Sequence, residues 1–297
     1  MKIILKQDSW SNATAFYLES LYRKHFDLSY DLNDDGIVYA HWQDWEWAKS
    51  LNRPAIIDHL WDPWENPEIQ DTEYLKVIRS DGWFAIANEC LWYQELGYHT
   101  YQPELQKNKT FLMPMNLQKE HRDQIWSAIQ PHLGRAVYSY VAHGIQLPYD
   151  INAERGDWQR YINPDWFDRT MYSLVVESGI DNNPMIHSEK ILKPIAFQHP
   201  FIVWGPCRYL EWLKTWGFET FDNIIDESYD LEPDPKLRLE MVIKEVARLN
   251  QQPSEYFDGP ETLKRIDNNF NRFYNVEWAV EQFEIYFDTI KQYSNSW

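Results

Sequence analysis

Three segments of this chain carry residue types that can hold an anion or move a proton. The richest reads Ser188-Glu189-Lys190-Ile191-Leu192-Lys193-Pro194-Ile195-Ala196-Phe197. Ser188 ahead of Glu189 suits a helix start, and helix starts favour anions such as phosphate. A carboxylate there can instead accept two sugar hydroxyls, as ribose recognition requires. Lys190 and Lys193 are three apart, on one face, and can neutralise a diphosphate. Spacing alone favours a capped surface helix with solvated charges. Glu177 ends the apolar run Leu174-Val175-Val176-Glu177. The carboxyl end of a buried strand is where doubly wound domains place functional groups, although a strand-end residue also simply reaches water. The third segment is Met115-Asn116-Leu117-Gln118-Lys119-Glu120-His121-Arg122. It follows a strand and opens a helix. Lys119 and Arg122 can both face a phosphate, which an arginine fork grips bidentately. An ordinary charged helix start reads the same way.

The elements that must position these residues alternate. Strands are expected at Lys2–Leu5, Ile37–Ala40 and Pro54–Asp58, with helical spacing at Thr14–His25 and Trp42–Leu51. Tyr74–Arg79, Trp83–Ala87 and Cys90–Leu96 continue the alternation, and the polar stretch Gln102–Lys109 reads as a link. A second series follows. Strands are expected at Thr110–Met115, Ala136–Val141, Tyr172–Glu177 and Phe201–Trp204. Helices are expected at Lys119–Gln130, from Glu189 to Phe197, and at Tyr209–Trp216, Pro235–Asn250, Pro260–Asn271 and Val276–Tyr293. Strands alternating with helices predict parallel sheets covered on both faces. Two such series predict two doubly wound domains, with ligands at the carboxyl ends of the strands.

Composition narrows the chemistry. The 297 residues carry a net charge of −18, which disfavours a broad grip on nucleic acid phosphates. Two cysteines support neither a disulfide scaffold nor a cysteine-rich zinc site. No run approaches the ~18 apolar residues of a membrane span, and the first residues do not read as a secretion signal, so a cytoplasmic protein is expected. Sixteen Trp and nineteen Tyr suit an aromatic core, a site for a ring-shaped ligand, or both. Phosphate-loop, dinucleotide, zinc-protease and serine-hydrolase motifs do not occur. Nor does an Asp-x-Asp pair, so a dedicated divalent-metal site has no support in the sequence.

The span Tyr172–Asp230 reads YSLVVESGIDNNPMIHSEKILKPIAFQHPFIVWGPCRYLEWLKTWGFETFDNIIDESYD. It resembles a family of glycosyltransferases of bacteriophages and marine bacteria. Those proteins carry a strand ending in Glu, then S/T-E-K-x-x-K-P-I-A, H-P-F-I, a G-x-L-x-x-L-x-x-x-G-F helix and T-F-x-x-x-I-D-E-S-Y-D. They also carry an Asn-Arg turn and a His-Arg before the first helix of that domain. Asn116 and His121-Arg122 match, whereas Leu117 stands in place of the arginine. The likeness spans roughly residues 110–235 and is loose over the first hundred. The Glu-Lys helix start is also similar to that of the donor domain in fucosyltransferase-like enzymes. Those have two facing Rossmann-like domains, the GT-B architecture.

The resemblance implies an α/β fold of that kind. Residues 1–105 would form an acceptor-side domain and 106–272 a donor-binding domain. Residues 273–297 would be a final helix returning to the first domain. It implies that Glu177, Ser188, Glu189, Lys190 and Lys193, with Asn116, Lys119 and Arg122, hold a nucleotide sugar. That sugar nucleotide is a co-substrate, and no metal or other cofactor is expected. Lysine and arginine would then stabilise the leaving diphosphate. The acceptor would be a glycan or a modified base of phage DNA, in a bacterial or phage-infected cytoplasm. An inverting reaction also needs a base. Asp44, Asp58, His59 and Asp62 are the candidates, in His41-Trp42-Gln43-Asp44-Trp45-Glu46 and Ile57-Asp58-His59-Leu60-Trp61-Asp62-Pro63-Trp64. Asp62, held by Pro63, is preferred. Ile225-Asp226-Glu227-Ser228-Tyr229-Asp230 reads first as structural. The alternatives are a non-catalytic nucleotide- or carbohydrate-binding protein on the same scaffold, or a scaffold protein without a ligand.

Overall fold

The computed structural model describes residues 1–5, 19–41, 44–59, 69–79, 82–103, 107–147, 162–180 and 188–297. The chain is α/β and divides into two compact units, Met1–Trp92 with Val276–Trp297, and Tyr93–Asn275. Each unit holds one wholly parallel sheet with the Rossmann-like habit of starting in the middle and growing outward in both directions.

In the first unit the strands are β1 (Lys2–Leu5), β2 (Asp27–Ser29), β3 (Ile37–His41), β4 (Ala55–His59) and β5 (Leu75–Arg79), in the order β2-β1-β3-β4-β5. The helices α1 (Glu19–Arg23) and α2 (Trp45–Ser50) intervene, and α3 (Trp83–Glu95) follows β5. The three-residue β2 escapes sequence patterning because Asp-Leu-Ser is too short and too polar to show a period. Trp83–Glu95 is one helix rather than two pieces.

Every residue of β3 is buried, as a strand covered on both faces requires. Val38, Ala40, Ala55, Ile57, Leu75 and Val77 pack on one face with Ala48 of α2. Tyr39 lies on the other, where its hydroxyl is 2.5 Å from that of Tyr286. Tyr286 belongs to the last helix, Val276–Ser294. Phe287 of the same helix meets Tyr22 at 4.9 Å and Phe26 at 5.3 Å between ring centroids, both edge-on. Such aromatic pairs favour edge contacts because the ring face is negative and its rim positive.

The second unit contains β6 (Lys109–Met115), β7 (Val137–Tyr140), β8 (Thr170–Val176) and β9 (Phe201–Trp204), in the order β7-β6-β8-β9. Its helices are α4 (Glu120–Ile129), α5 (Asp165–Asp168), α6 (Leu192–Ala196), α7 (Tyr209–Thr215), α8 (Pro235–Leu249) and α9 (Pro260–Phe273), and Val276–Ser294 is then α10. All seven residues of β8 are buried, in keeping with its apolar sequence. The chain runs from β6 to β7 on one side and returns to β8 on the other. The topological switch point therefore lies between β6 and β8.

Much of the motif-rich segment is framework. His199 accepts from Ser173 Oγ at Nδ1 (2.8 Å) and donates from Nε2 to the Thr170 carbonyl (2.8 Å). Burial pushes its imidazole down to about 3, so it is neutral and ties the turn before β9 to the start of β8. Asp226 caps the short turn that follows it through Ser228 N–H (3.1 Å). Glu227 accepts from Thr220 Oγ1 (2.8 Å) and Phe221 N–H (2.7 Å). Asp230 accepts from Leu210 N–H in the first turn of α7 (3.1 Å). Asp234 caps α8 through Lys236 N–H (2.8 Å), with Pro235 at the first helical position.

Candidate functional site

The loops after β6 and β8 meet at the switch point of the second sheet. Lys119, at the start of α4, donates from Nζ to the Ser178 carbonyl at 2.7 Å. His121 Nε2 lies 3.0 Å from the Glu177 carbonyl, which can only accept, so that nitrogen carries the proton. The two βα loops are thus laced together across the gap where parallel sheets bind ligands.

Glu177 lies beneath this lacing. It is completely buried. Oε1 accepts from Tyr209 Oη at 2.7 Å. Oε2 accepts from Ser188 Oγ at 2.6 Å and from Ser178 N–H at 3.0 Å. Its carboxylate is engaged by the chain's own donors, so Glu177 organises the site rather than offering itself to a ligand. Gly205, just after β9, makes room for it. A Cβ on Gly205 would stand 3.2 Å from Glu177 Cγ and 3.3 Å from Tyr209 Cδ2.

Above Glu177 sit Ser188, Glu189 and Lys190, all half-buried. Lys190 Nζ donates to Ser178 Oγ (2.9 Å), Ser188 Oγ (3.2 Å) and Glu189 Oε1 (3.2 Å). Burial works against the charge of Glu189, but Lys190 and Lys193 hold its carboxyl down to about 2. Glu189 is therefore an anion at neutral pH. The expectation of a helix beginning at Ser188 is corrected here. Residues 189–191 form turns, and α6 is the five-residue helix Leu192–Ala196. Ser188 spends its hydroxyl proton on Glu177, and the anion-binding power of a long helix does not arise. Lys193 lies in α6, half-buried and close enough to Glu189 to stabilise its charge.

Arg122 departs from the sequence reading in the same way. It is 4% exposed, and NH1 donates to the Leu117 carbonyl at 2.9 Å. Burial pushes its guanidinium down, while Glu177 and Glu189 support the charge. It shapes the β6–α4 loop from inside, where no phosphate reaches it from solvent. Asn116 contributes its carbonyl, which accepts from Ala142 N–H at 3.0 Å. Arg238, 1% exposed, braces the other loop by donating to the Ile180 carbonyl at 2.9 Å. Sequence spacing gives no sign of that role, because Arg238 lies 58 residues from its partner.

The proposed base residues fall on the first unit. Asp62 lies outside the described residues, as does the side chain of His59, whose backbone ends β4. Asp44 is half-buried just before α2. Asp58 is 3% exposed at the carboxyl end of β4, in register with the buried His41 of β3. Burial raises its carboxyl to about 7, opposed by the Tyr39 hydroxyl and aided by the charge of Asp44. Among the described residues, no group of three or more His, Cys, Asp or Glu is arranged to hold a metal ion, and no helix is long and apolar enough to cross a membrane.

Compared with known proteins, the chain matches no family model, no curated protein and no solved structure.

Proposed function

We propose that this protein is a metal-independent glycosyltransferase that takes its sugar from a nucleotide-sugar donor bound at the β6/β8 switch point. One observation carries the reading. Lys119, Lys190 and Lys193 converge with Glu189 on the carboxyl edge of a parallel sheet, over a buried Glu177 that fixes the loops they stand on. A diphosphate placed there meets positive charge, and a ribose meets a carboxylate that stays ionised. As the glycosidic C–O bond breaks, negative charge grows on the diphosphate, and preorganised lysines stabilise it more than they stabilise the ground state. Glu177, Arg122 and Arg238 keep the loops in place. The acceptor is a glycan or a modified DNA base. The two units are read as the two Rossmann-like domains of a GT-B enzyme, the first serving the acceptor, with Asp44, His59 and Asp62 as its candidate residues.

Thermal denaturation against UDP, GDP, CMP, ADP and their common sugar conjugates tests this reading. A ligand at a hundredfold excess over its Kd stabilises the fold by about 2.7 kcal/mol. One diphosphate is expected to raise the melting temperature, and Glu189→Ala and Lys190→Ala are expected to abolish the rise. No response to any of them defeats the reading.

A further inference from the structure

A second polar cluster lies on the same edge of the second sheet, at the end of β7, and the switch-point site does not use it. His143 follows β7 in a short turn, Val141–His143. Its Nε2 is 3.0 Å from Asp123 Oδ1. The same oxygen accepts from Tyr140 Oη at 2.6 Å, and Asp123 Oδ2 accepts from Gln118 Nε2 at 3.0 Å. These bonds hold the Asp123 carboxyl below its usual range, Tyr140 contributing most and Gln118 next. Asp123 is therefore an acceptor only, and His143 must place its proton on Nε2. Nδ1 is left as the basic nitrogen, and it takes no hydrogen bond from the described residues. The ring stacks on Tyr140, with centroids 4.3 Å apart and planes at 21°, and Trp126 flanks it at 6.1 Å. The imidazole is thus fixed in tautomer and plane while its side chain remains 37% exposed.

This cluster is joined to the switch-point loop. Ala142 N–H donates to the Asn116 carbonyl (3.0 Å), and Asp123 N–H to the Lys119 carbonyl (3.0 Å). Lys119 and Asp123 line one shallow surface depression with Gln118 and Glu120. Among the described residues, the charged and titratable groups that face the imidazole are Asp123 of α4 and Tyr140 of β7, and the buried Arg122 acts on Tyr140 from behind.

We propose that His143, oriented by Asp123, is the proton acceptor for the attacking hydroxyl, so that base and donor site belong to the same unit. The inference rests on the nucleotide-sugar reading above. The hydroxyl oxygen of an acceptor or a water forms a bond to the anomeric carbon. The bond from that carbon to the diphosphate oxygen breaks, with its electron pair leaving on the diphosphate. The hydroxyl proton passes to His143 Nδ1. Asp123 balances the resulting imidazolium without taking its proton. This dyad has the geometry of a base held by a third group, and such bases contribute roughly 10²–10⁴ in rate.

The test is release of nucleoside diphosphate from UDP-glucose, GDP-mannose and ADP-glucose, with water as acceptor, followed from pH 5 to 9. Wild type is expected to lose rate toward acid as an imidazole protonates. His143→Gln is expected to fall at least 100-fold and to lose that acidic limb, while its melting temperature and its response to the free diphosphate stay unchanged. Asp123→Asn is expected to lower the rate, because the amide no longer fixes the His143 proton on Nε2. Nitrogen NMR of the wild type is expected to show His143 protonated at Nε2. A His143→Gln variant with wild-type rate and pH profile overturns the inference and leaves the donor reading standing. Diphosphate binding without release in the wild type does the same. Absence of diphosphate binding in the wild type overturns both.

Discussion

The two sheets share a topology and differ in what they place at the carboxyl ends of their strands. In the second unit those ends carry lysines, a Glu189 whose charge Lys190 and Lys193 support, and loops laced by hydrogen bonds. In the first, the described ends of β3 and β4 carry a buried polar cluster. Tyr39 and Tyr286 share a hydroxyl contact, Tyr22 and Asp58 lie within the same enclosed region, and Asp58 Oδ1 has no hydrogen-bond partner among the described residues. Strand order supplies a location, and the side chains decide whether that location suits a charged ligand or a shared proton.

The sharpest way to probe the difference is pH. The Asp58 carboxyl has a value of about 7 in the fold against an ordinary 3.8. The folded state therefore holds this proton more tightly than the unfolded chain. The stabilisation is complete below about pH 4 and is lost as pH rises through about 7, to the extent of roughly 4 kcal/mol. Asp58→Asn is expected to flatten that slope in denaturant titrations run from pH 4 to 8, and to leave the protein more stable than wild type at pH 8. An unchanged slope would mean that the two carboxyl edges do not differ as described.

Glu177 is the corresponding test of the second unit. Glu177→Ala strips three donors of their acceptor in a buried setting. It is expected to cost about 3 kcal/mol of stability, read by denaturant unfolding, and to remove any thermal response to a diphosphate. Gly205→Ala presses a methyl group against Glu177 and Tyr209 and is expected to cost about 1–2 kcal/mol in the same assay. Its diphosphate response should weaken without vanishing, because the lysines remain. The smallest effect belongs to Tyr286→Phe. It removes one buried hydroxyl contact between α10 and β3 and is expected to cost about 1 kcal/mol, with no change in diphosphate response.

The elements were legible where burial on both faces writes a continuous apolar run. Leu174-Val175-Val176 and Phe201–Trp204 are such runs, and both are central strands or their neighbours. The Asp27–Ser29 strand was not legible, since its place in the sheet comes from pairing with β1 rather than from its own three residues. The site was legible as a set of residue types and illegible as a set of roles. Lys119 bonds to the Ser178 carbonyl, and Lys190 to Ser178 Oγ and Glu189, contacts that spacing does not specify. Arg122, from the same charged helix start as Lys119, turns inward and serves the loop. Asp123 reads as one more helix-surface acid until Tyr140 and His143, 17 and 20 residues away, are seen to converge on a single oxygen.

By itself the sequence determined the alternation of strands and helices, the parallel sheets that follow, and the charged residue types at the strand ends. Those depend on local periodicity and on residues close together along the chain. Only the tertiary structure decided which carboxylate is enclosed and which is presented. Glu177 and Glu189 are the same residue type twelve positions apart. One is fully buried with its oxygens taken by Tyr209, Ser188 and Ser178, while the other is half-buried and paired with Lys190 and Lys193. The reason is physical: the state of a charged group is set by every donor and every water molecule within a few ångströms. Those neighbours are brought there by folding, from sequence positions that no local pattern connects.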